Sequence, residues 1–257
     1  MYARVIVLLF ALGAAGAWSQ NPAAEAGAIR LHPYPRLQER RDERERMVDT
    51  LLRYRGTDLS VTDARVIQAM RHVPRHRFVP SPQQSHAYRD SPVPIGYGQT
   101  ISQPYIVALM TQLADVGPAM KVLEVGTGSG YQAALLYELT DQVYSLEIIA
   151  PLAARTIGLF RELGLDAIHA REGDGYYGWT PAPDAPFDRI LVTAAARHIP
   201  PPLLRQLAPG GRMIIPVGSR WGVQQLMVIS KDAAGQTRTR SVLPVRFVPL
   251  TGDHRDQ

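Results

Sequence analysis

Three glycines at alternate positions mark the stretch of the chain best suited to binding a ligand. Gly126, Gly128 and Gly130 separate an apolar run at residues 122–125 from a run rich in alanine and leucine at residues 132–139. A strand that turns through glycines into a helix leaves backbone amides free to donate to a polar or anionic group. The loop therefore predicts a ligand site, with an ordinary strand-to-helix turn as the alternative.

Two acidic residues follow the next two expected strands. Glu147 ends the strand at residues 143–147, and Asp174 follows the strand at residues 167–171. In a parallel sheet such strand ends share the edge where ligands bind. Glu147 is placed there to accept hydrogen bonds from both hydroxyls of a ribose, and Asp174 to receive an adenine amino group. Each acid alone is equally a helix cap or a surface acid, but together with the glycines they predict an adenosyl ligand.

The spacing of the glycines narrows the choice of that ligand. It differs from the Gly-x-Gly-x-x-Gly pattern that is typical of dinucleotide-binding proteins. It resembles instead the glycine loop of S-adenosylmethionine-dependent methyltransferases. A methyl donor therefore fits the pattern better than a nicotinamide does.

A third stretch, at residues 98–105, reads Gly-Gln-Thr-Ile-Ser-Gln-Pro-Tyr and opens an expected helix at residues 106–113. Ser102 is suited to cap that helix, although capping explains one residue and not the string. Residues 74–96 before it combine prolines and glycines with aromatic residues. Such composition is typical of ordered, irregular loops that carry function on a rigid scaffold.

The second half of the chain alternates between strands and helices. Strands are expected at residues 122–125, 143–147, 167–171, 189–193 and 212–217, and helices at residues 132–139, 150–163 and 202–207. The alternation predicts an α/β fold with a doubly wound, mainly parallel sheet. Strands at residues 225–230 and 237–245, joined by a turn, predict an antiparallel hairpin at the sheet edge. Helices at residues 36–54, ended by Gly56, and at 64–72 predict an N-terminal helical subdomain.

Composition excludes several kinds of site. The net charge is +5, but the excess comes from arginines spread along the chain, so no nucleic-acid partner is expected. The absence of cysteine excludes disulfides, cysteine nucleophiles and thiolate metal sites. His72 and His76 suggest a metal site, but a proline lies between them and no further ligand is near. We therefore expect no metal.

The N-terminus has the features of a secretory leader. Arg4 precedes an apolar run at residues 5–14, and Ala-Gly-Ala at residues 15–17 matches a cleavage site. We expect a signal peptide at 1–17 and a linker at 18–35, and hence an exported, periplasmic protein; an uncleaved anchor and a buried helix are the alternatives.

The remaining residues, 36–257, are expected to form one domain. We divide it into N-terminal helices and a substrate loop at 36–115, a Rossmann-like core at 116–230, and a C-terminal strand and tail at 231–257.

Several strings, taken together, resemble the protein-L-isoaspartate O-methyltransferase family between about Met47 and Thr251. The string at 98–105, with the proline-rich loop before it, is close to diagnostic. Two departures are the leader and Ala196, where many bacterial relatives have proline. The similar strings lie at residues 47–56, 73–80, 87–90, 98–105, 125–131, 173–175, 192–195 and 246–250.

The resemblance implies methyl transfer from S-adenosylmethionine to the free carboxyl of L-isoaspartyl or D-aspartyl residues in damaged proteins, which starts repair through a succinimide. It implies that Ser102, as catalytic residue, and Thr100 hold the substrate carboxylate. Substrate backbone contacts are implied at Ala194, Ala195 and Val217. The implied cofactor contacts are Gln99, Gly126, Thr127, Gly128, Gly130, Glu147, Asp174, Gly175 and Thr251.

Two other functions remain open from the sequence. One is a methyltransferase of the same fold that acts on a small molecule or RNA, and the other is a non-catalytic exported binding protein. We expect a monomer without stable membrane association once the leader is removed.

Overall fold

A seven-stranded sheet runs through the centre of the fold. The structure is a computed structural model and describes residues 29–51, 59–181, 185–219 and 222–252. The expected leader and most of the expected linker lie outside these residues. Strands β1 (Val93–Gly96) and β2 (Gln99–Ile101) form a separate antiparallel hairpin. The sheet contains β3 (Lys121–Val125), β4 (Gln142–Glu147), β5 (His169–Glu172), β6 (Phe187–Val192), β7 (Leu207–Gly218), β8 (Gln224–Lys231) and β9 (Thr237–Val245).

The strand order, β5-β4-β3-β6-β7-β8-β9, places a switch point at the centre of the sheet. β3 pairs in parallel with β4 on one side and with β6 on the other. The chain therefore leaves β3 in one direction and later returns to its opposite side, which opens a crevice at the carboxyl end of β3. β7, β8 and β9 pair antiparallel, so the predicted edge hairpin is confirmed.

Helices cover both faces of the sheet. Neighbouring residues of β3 point to opposite faces, Val122 into one hydrophobic core and Leu123 into the other. The core that contains Val122 lies beneath α1 (Arg41–Leu51), α2 (Ala64–His72), α3 (Pro104–Ala114), α4 (Tyr131–Leu139) and α5 (Ala150–Leu163). The core that contains Leu123 lies beneath the short α6 (Pro201–Gln206). The predicted doubly wound α/β fold is confirmed.

The expected boundaries hold for α2, α5 and β9 and are wrong at other places. The helix expected from residue 36 begins only at Arg41, because Arg36 and Arg40 have positive φ angles of 54° and 53° that a right-handed helix does not admit. Its expected end at Gly56 lies outside the described residues. β5 begins at His169, two residues after its expected start. Ile168 N–H donates a hydrogen bond to Leu165 O, so the chain forms a turn where the strand was expected to begin.

None of the helices in the described part of the chain is long and apolar enough to cross a membrane.

Candidate active site

A cavity at the carboxyl ends of β3 and β4, which we call the glycine-loop cavity, is open to solvent and spans about 830 Å³. Its walls come from widely separated parts of the chain. They include the glycine loop after β3, the end of β2 with Ser102, part of α3, residues 146–149 at the end of β4, Gly175, residues 193–194 after β6, and residues 247–251. The two strings singled out in the sequence therefore face the same space.

The glycine loop is held tightly against the ends of the neighbouring strands. Gly126 has a φ of 99°, and a Cβ at this position would lie 2.5 Å from Thr193 Oγ1. Thr193 Oγ1 itself donates to Gly126 O at 2.6 Å. Only glycine combines this backbone conformation with so close an approach, so Gly126 brings the loop to the switch point between β3 and β6.

Gly130 has a different role from the first two glycines. It does not line the glycine-loop cavity. It has a φ of 87° at the start of α4, and a Cβ there would lie 2.5 Å from Phe160 Cε1 of α5. Its predicted cofactor contact is therefore not supported by its position; Gly130 allows α4 and α5 to pack closely.

Glu147 presents a fixed carboxylate at the cavity wall. Its Oε2 accepts from Gly128 N–H at 2.8 Å, and its Oε1 accepts from Ile149 N–H at 3.0 Å. Each carboxylate oxygen can accept a further bond. The buried group is thus oriented by the backbone and retains the capacity to accept bonds from a vicinal diol; its contact with a ribose stays a prediction.

Asp174 is the N-cap of a 3-10 helix, Gly175–Tyr177. Its Oδ1 accepts from Tyr176 N–H at 2.9 Å. Gly175 lines the glycine-loop cavity and Asp174 does not. A side chain at Gly175 would collide with Val125 Cγ1, so glycine allows this turn to approach the end of β3. The contact of Asp174 with adenine stays a prediction.

The hairpin β1–β2 lies over the glycine loop. Ile95 of β1 is the nearest side chain to the position that a Cβ of Gly128 would take, 3.7 Å from Cδ1. Arg155 of α5 holds the hairpin by donating from Nη2 to Ile95 O at 2.7 Å. Its guanidinium also lies 5.7 Å from the ring of Tyr97 at the hairpin turn. This arrangement positions Gln99 and Thr100 at the cavity.

Ser102 does not cap α3, so the capping interpretation is wrong. The N-cap residue is Gln103, which makes no side-chain cap. Asp90 supplies that function from the proline-rich loop, since its Oδ1 accepts from Tyr105 N–H at 3.0 Å. Within the described residues, no hydrogen bond to the Ser102 hydroxyl occurs, whereas Ser102 O accepts from Arg75 Nη2 at 2.7 Å. The backbone of Ser102 is fixed and its hydroxyl is available.

Arg75 is fully buried beneath this string. Its Nε donates to Ala87 O at 2.7 Å, and its guanidinium lies 4.8 Å from the ring of Tyr131. Burial lowers the pKa of the Arg75 guanidinium to about 10, so it remains charged at neutral pH. It ties the proline-rich loop to Ser102.

A second cavity, of about 950 Å³, opens where β9 ends, and we call it the β9 cavity. Pro92, Ile106, Val223 and Arg246 are among the residues that line it. It shares five lining residues with the glycine-loop cavity: Thr100, Ser102, Thr193, Phe247 and Val248. The two cavities thus meet at the Ser102 and Thr100 hydroxyls.

The predicted substrate contacts at Ala195 and Val217 are not at either cavity. Ala195 N–H donates to Val248 O at 2.8 Å, and Ala195 O accepts from Leu250 N–H at 2.8 Å. Val217 forms a bridge with Ala196. Because the backbone N–H and C=O of Ala195 already pair with the C-terminal segment, they are not free to bind a substrate. Val217 lies near the end of β7, and its contact with a substrate stays a prediction. Ala194 does line the glycine-loop cavity.

Glu124 and most of the C-terminal wall were not predicted from the sequence. Glu124 lines the glycine-loop cavity and is fully buried, with Ser145 Oγ donating to its Oε2. Burial raises the pKa of the Glu124 carboxyl to about 8. The sequence signal for Glu124 was a single acidic residue within an apolar strand. The signal for the C-terminal wall was the string at residues 246–250, but only Thr251, the residue after this string, was predicted to contact the cofactor.

A metal site is absent from the described part of the chain, where no three His, Cys, Asp or Glu residues form a suitable group. His76 Nδ1 instead lies 2.8 Å from Tyr88 Oη, and His72 Nε2 lies 2.6 Å from His32 O. Both histidines therefore have partners within the protein.

The family model described as Protein-L-isoaspartate(D-aspartate) O-methyltransferase matches residues 43–255. The chain belongs to this family. A relative from Syntrophobacter fumaroxidans, Protein-L-isoaspartate O-methyltransferase 2, is 53% identical over 98% of this chain and 97% of its own length. A Polaromonas relative of the same name is 60% identical over 74% of this chain and 89% of its own length.

Solved structures of the protein-L-isoaspartate O-methyltransferase family share the fold. One is 28% identical with a TM-score of 0.71, and the match covers 82% of this chain and 66% of that one. Another, from Plasmodium falciparum, is described as a complex with S-adenosyl-L-homocysteine; it is 25% identical with a TM-score of 0.68, over 81% of this chain and 98% of that one. The family resemblance and the fold class expected from the sequence are confirmed.

Proposed function

We propose that the protein transfers a methyl group from S-adenosylmethionine to the free carboxylate of L-isoaspartyl, and of D-aspartyl, residues in damaged proteins. The ester then closes to a succinimide, which starts repair. The observation that carries the proposal is the meeting of two cavities at Ser102 and Thr100 in a member of this family. A donor and an acceptor held in separate cavities are brought together at one point.

The glycine-loop cavity has the chemistry that an adenosyl ligand requires. Glu147 would accept hydrogen bonds from the two ribose hydroxyls, because its oxygens are oriented by Gly128 and Ile149 N–H. Gly126 and Gly175 leave the backbone bare where side chains would collide with the strand ends. Gln99 and Thr251 also line this cavity, and we assign them contacts to the cofactor.

The chain's own contribution to the reaction is alignment. When bound, S-adenosylmethionine supplies an electrophilic methyl group on a sulfonium. A carboxylate is already ionised at neutral pH, so the protein needs no general base. Ser102 and Thr100 would orient the substrate carboxylate with their hydroxyls, and apolar walls such as Phe247 would exclude water. Low polarity also suits a transition state in which both charges decrease.

The test compares an isoaspartyl peptide with its aspartyl twin. The purified chain should methylate the first and ignore the second, with radioactive methyl incorporation as the readout. Equal labelling of the two peptides would refute specificity for isoaspartyl residues. Absence of labelling with a chain that binds S-adenosylhomocysteine would favour a binding protein.

We also propose that the chain is exported, with cleavage after residue 17, and acts as a monomer without stable membrane association. The apolar run with its Ala-Gly-Ala site supports export. Cell fractionation of a C-terminally tagged chain, with the mass of the mature protein, tests this. Recovery of the uncleaved chain in the cytoplasm would refute it.

A further inference from the structure

The β9 cavity contains one charged side chain among the described residues that line it, and this side chain is Arg246. The remaining lining residues are apolar, or are neutral and polar. Arg246 is exposed, and its guanidinium makes no ion pair or hydrogen bond with any residue in the described part of the chain. No carboxylate of those residues lines the cavity to neutralise it. A free cation therefore faces the space through which an acceptor would reach Ser102.

The backbone that carries Arg246 is held in place on both sides. Val245 ends β9 and pairs with Gln224 of β8. Phe247 N–H donates to Gln224 Oε1 at 2.9 Å, and the Gln224 side chain is buried. The guanidinium can thus move only as far as its own side chain allows, and its charge stays at the cavity.

The reacting carboxylate is a poor partner for this cation. It loses its charge when it is methylated, so a guanidinium paired with it would stabilise the reactant more than the transition state. The Ser102 and Thr100 residues, where the two cavities meet, can orient it with neutral hydroxyls, for which that cost is smaller. A second anion, carried by the substrate beside the reacting residue, is the better partner.

We propose that Arg246 determines sequence specificity: it favours isoaspartyl residues that have an acidic side chain next to them and disfavours those flanked by lysine or arginine. This inference rests on the proposed function. A partly exposed ion pair at the mouth of a cavity should change the relative rates by about 3- to 5-fold for each unit of flanking charge. The effect should decrease as ionic strength rises, because salt screens such a pair.

The experiment uses the full chain and isoaspartyl peptides that differ only in one flanking residue, Glu, Gln or Lys, placed before or after the isoaspartyl residue. The ratios of kcat/KM are measured at low and high ionic strength. We expect kcat/KM to decrease in the order Glu, Gln, Lys for at least one of the two flanking positions, mainly through an increase in KM. R246Q should remove this order, and R246E should invert it so that the lysine peptide becomes the best substrate.

R238Q is the matched control, because Arg238 is an exposed residue of β9 that does not line the cavity. It removes the same charge and should keep the wild-type order. If R246Q keeps the order, or lowers kcat/KM equally for all three peptides, the inference is wrong; the second result would place Arg246 on the reacting carboxylate. If the wild-type chain methylates all three equally, the inference also fails while the proposed function stands. If it methylates none, the proposed function fails.

Discussion

Replacing Ser102 with alanine isolates the hydroxyl at the point where the two cavities meet. The backbone of Ser102 is held through its carbonyl by the buried Arg75, at 2.7 Å. The hydroxyl makes no hydrogen bond within the described residues, so its removal leaves no partner unsatisfied. We therefore expect S102A to fold as the wild type does, with a change in unfolding free energy within about 0.5 kcal/mol.

The expected loss in activity follows from the bond that the hydroxyl would make. A hydrogen bond to a charged group contributes about 1.5–3 kcal/mol. At about 1.4 kcal/mol per factor of ten, this corresponds to a decrease in kcat/KM of roughly 10- to 150-fold for an isoaspartyl peptide. Since Glu147 and the glycine loop would carry most of the cofactor binding, the Kd for S-adenosylhomocysteine should stay close to that of the wild type.

The assay measures both quantities on the same preparation. Peptide methylation gives kcat and KM, and isothermal titration with S-adenosylhomocysteine gives the Kd. If the Kd rises in step with the loss of rate, Ser102 contacts the cofactor and its assignment to the substrate is wrong. If neither changes, the hydroxyl has no role in the reaction.

Three further predictions concern the cofactor, the hairpin and pH. E147Q should show the reverse of S102A, with an increase in the Kd for S-adenosylhomocysteine of about 10- to 150-fold, because an amide cannot accept both backbone N–H bonds; an unchanged Kd by titration would refute this role. R155Q removes the bond to Ile95 O and should speed S-adenosylhomocysteine release in stopped-flow measurements, whereas R161Q, on the same helix, should not. For Glu124, burial raises the folded-state pKa from 4.5 to about 8, so its contribution to stability is present at low pH and is lost as pH rises between about 4.5 and 8. In thermal unfolding, the Tm of E124Q should therefore fall less than that of the wild type across this pH range. An equal dependence of Tm on pH in the two proteins would contradict this prediction.

Local patterns predict the elements of this fold well. The helix at residues 64–72, the helix at 150–163 and the strand at 237–245 have the bounds expected from the sequence. Each has a clear start or stop signal, such as Asp63 before α2, whose side chain accepts from Arg65 N–H. The glycine loop could be assigned to the ligand site from the α/β pattern, which places it at the end of a strand. The string at 98–105 could be assigned to the same site only through the family resemblance.

The parts of the site that were missed depend on distant pairing. Ala195 was expected to bind substrate backbone, but bonds to residues 248 and 250 occupy it. The capping of α3 comes from Asp90, fifteen residues before Tyr105 in the chain. Such contacts cannot be predicted from periodicity or spacing, because they form only when the C-terminal segment and the proline-rich loop pack against the sheet. Among residues 247–251, which line the glycine-loop cavity, only Thr251 was therefore predicted from the sequence.

Buried residues beneath the cavities hold the candidate site in place. A reaction without a general base depends on how well a carboxylate and a methyl group are aligned, and alignment depends on rigid support. Arg75 illustrates this: burial makes its charge costly to keep, as the lowered pKa shows, yet it holds Ser102 and Ala87 with two charge-assisted bonds. A lysine at this position could not span both carbonyls with a planar fork. The position of the Ser102 hydroxyl therefore depends on the buried Arg75 beneath it.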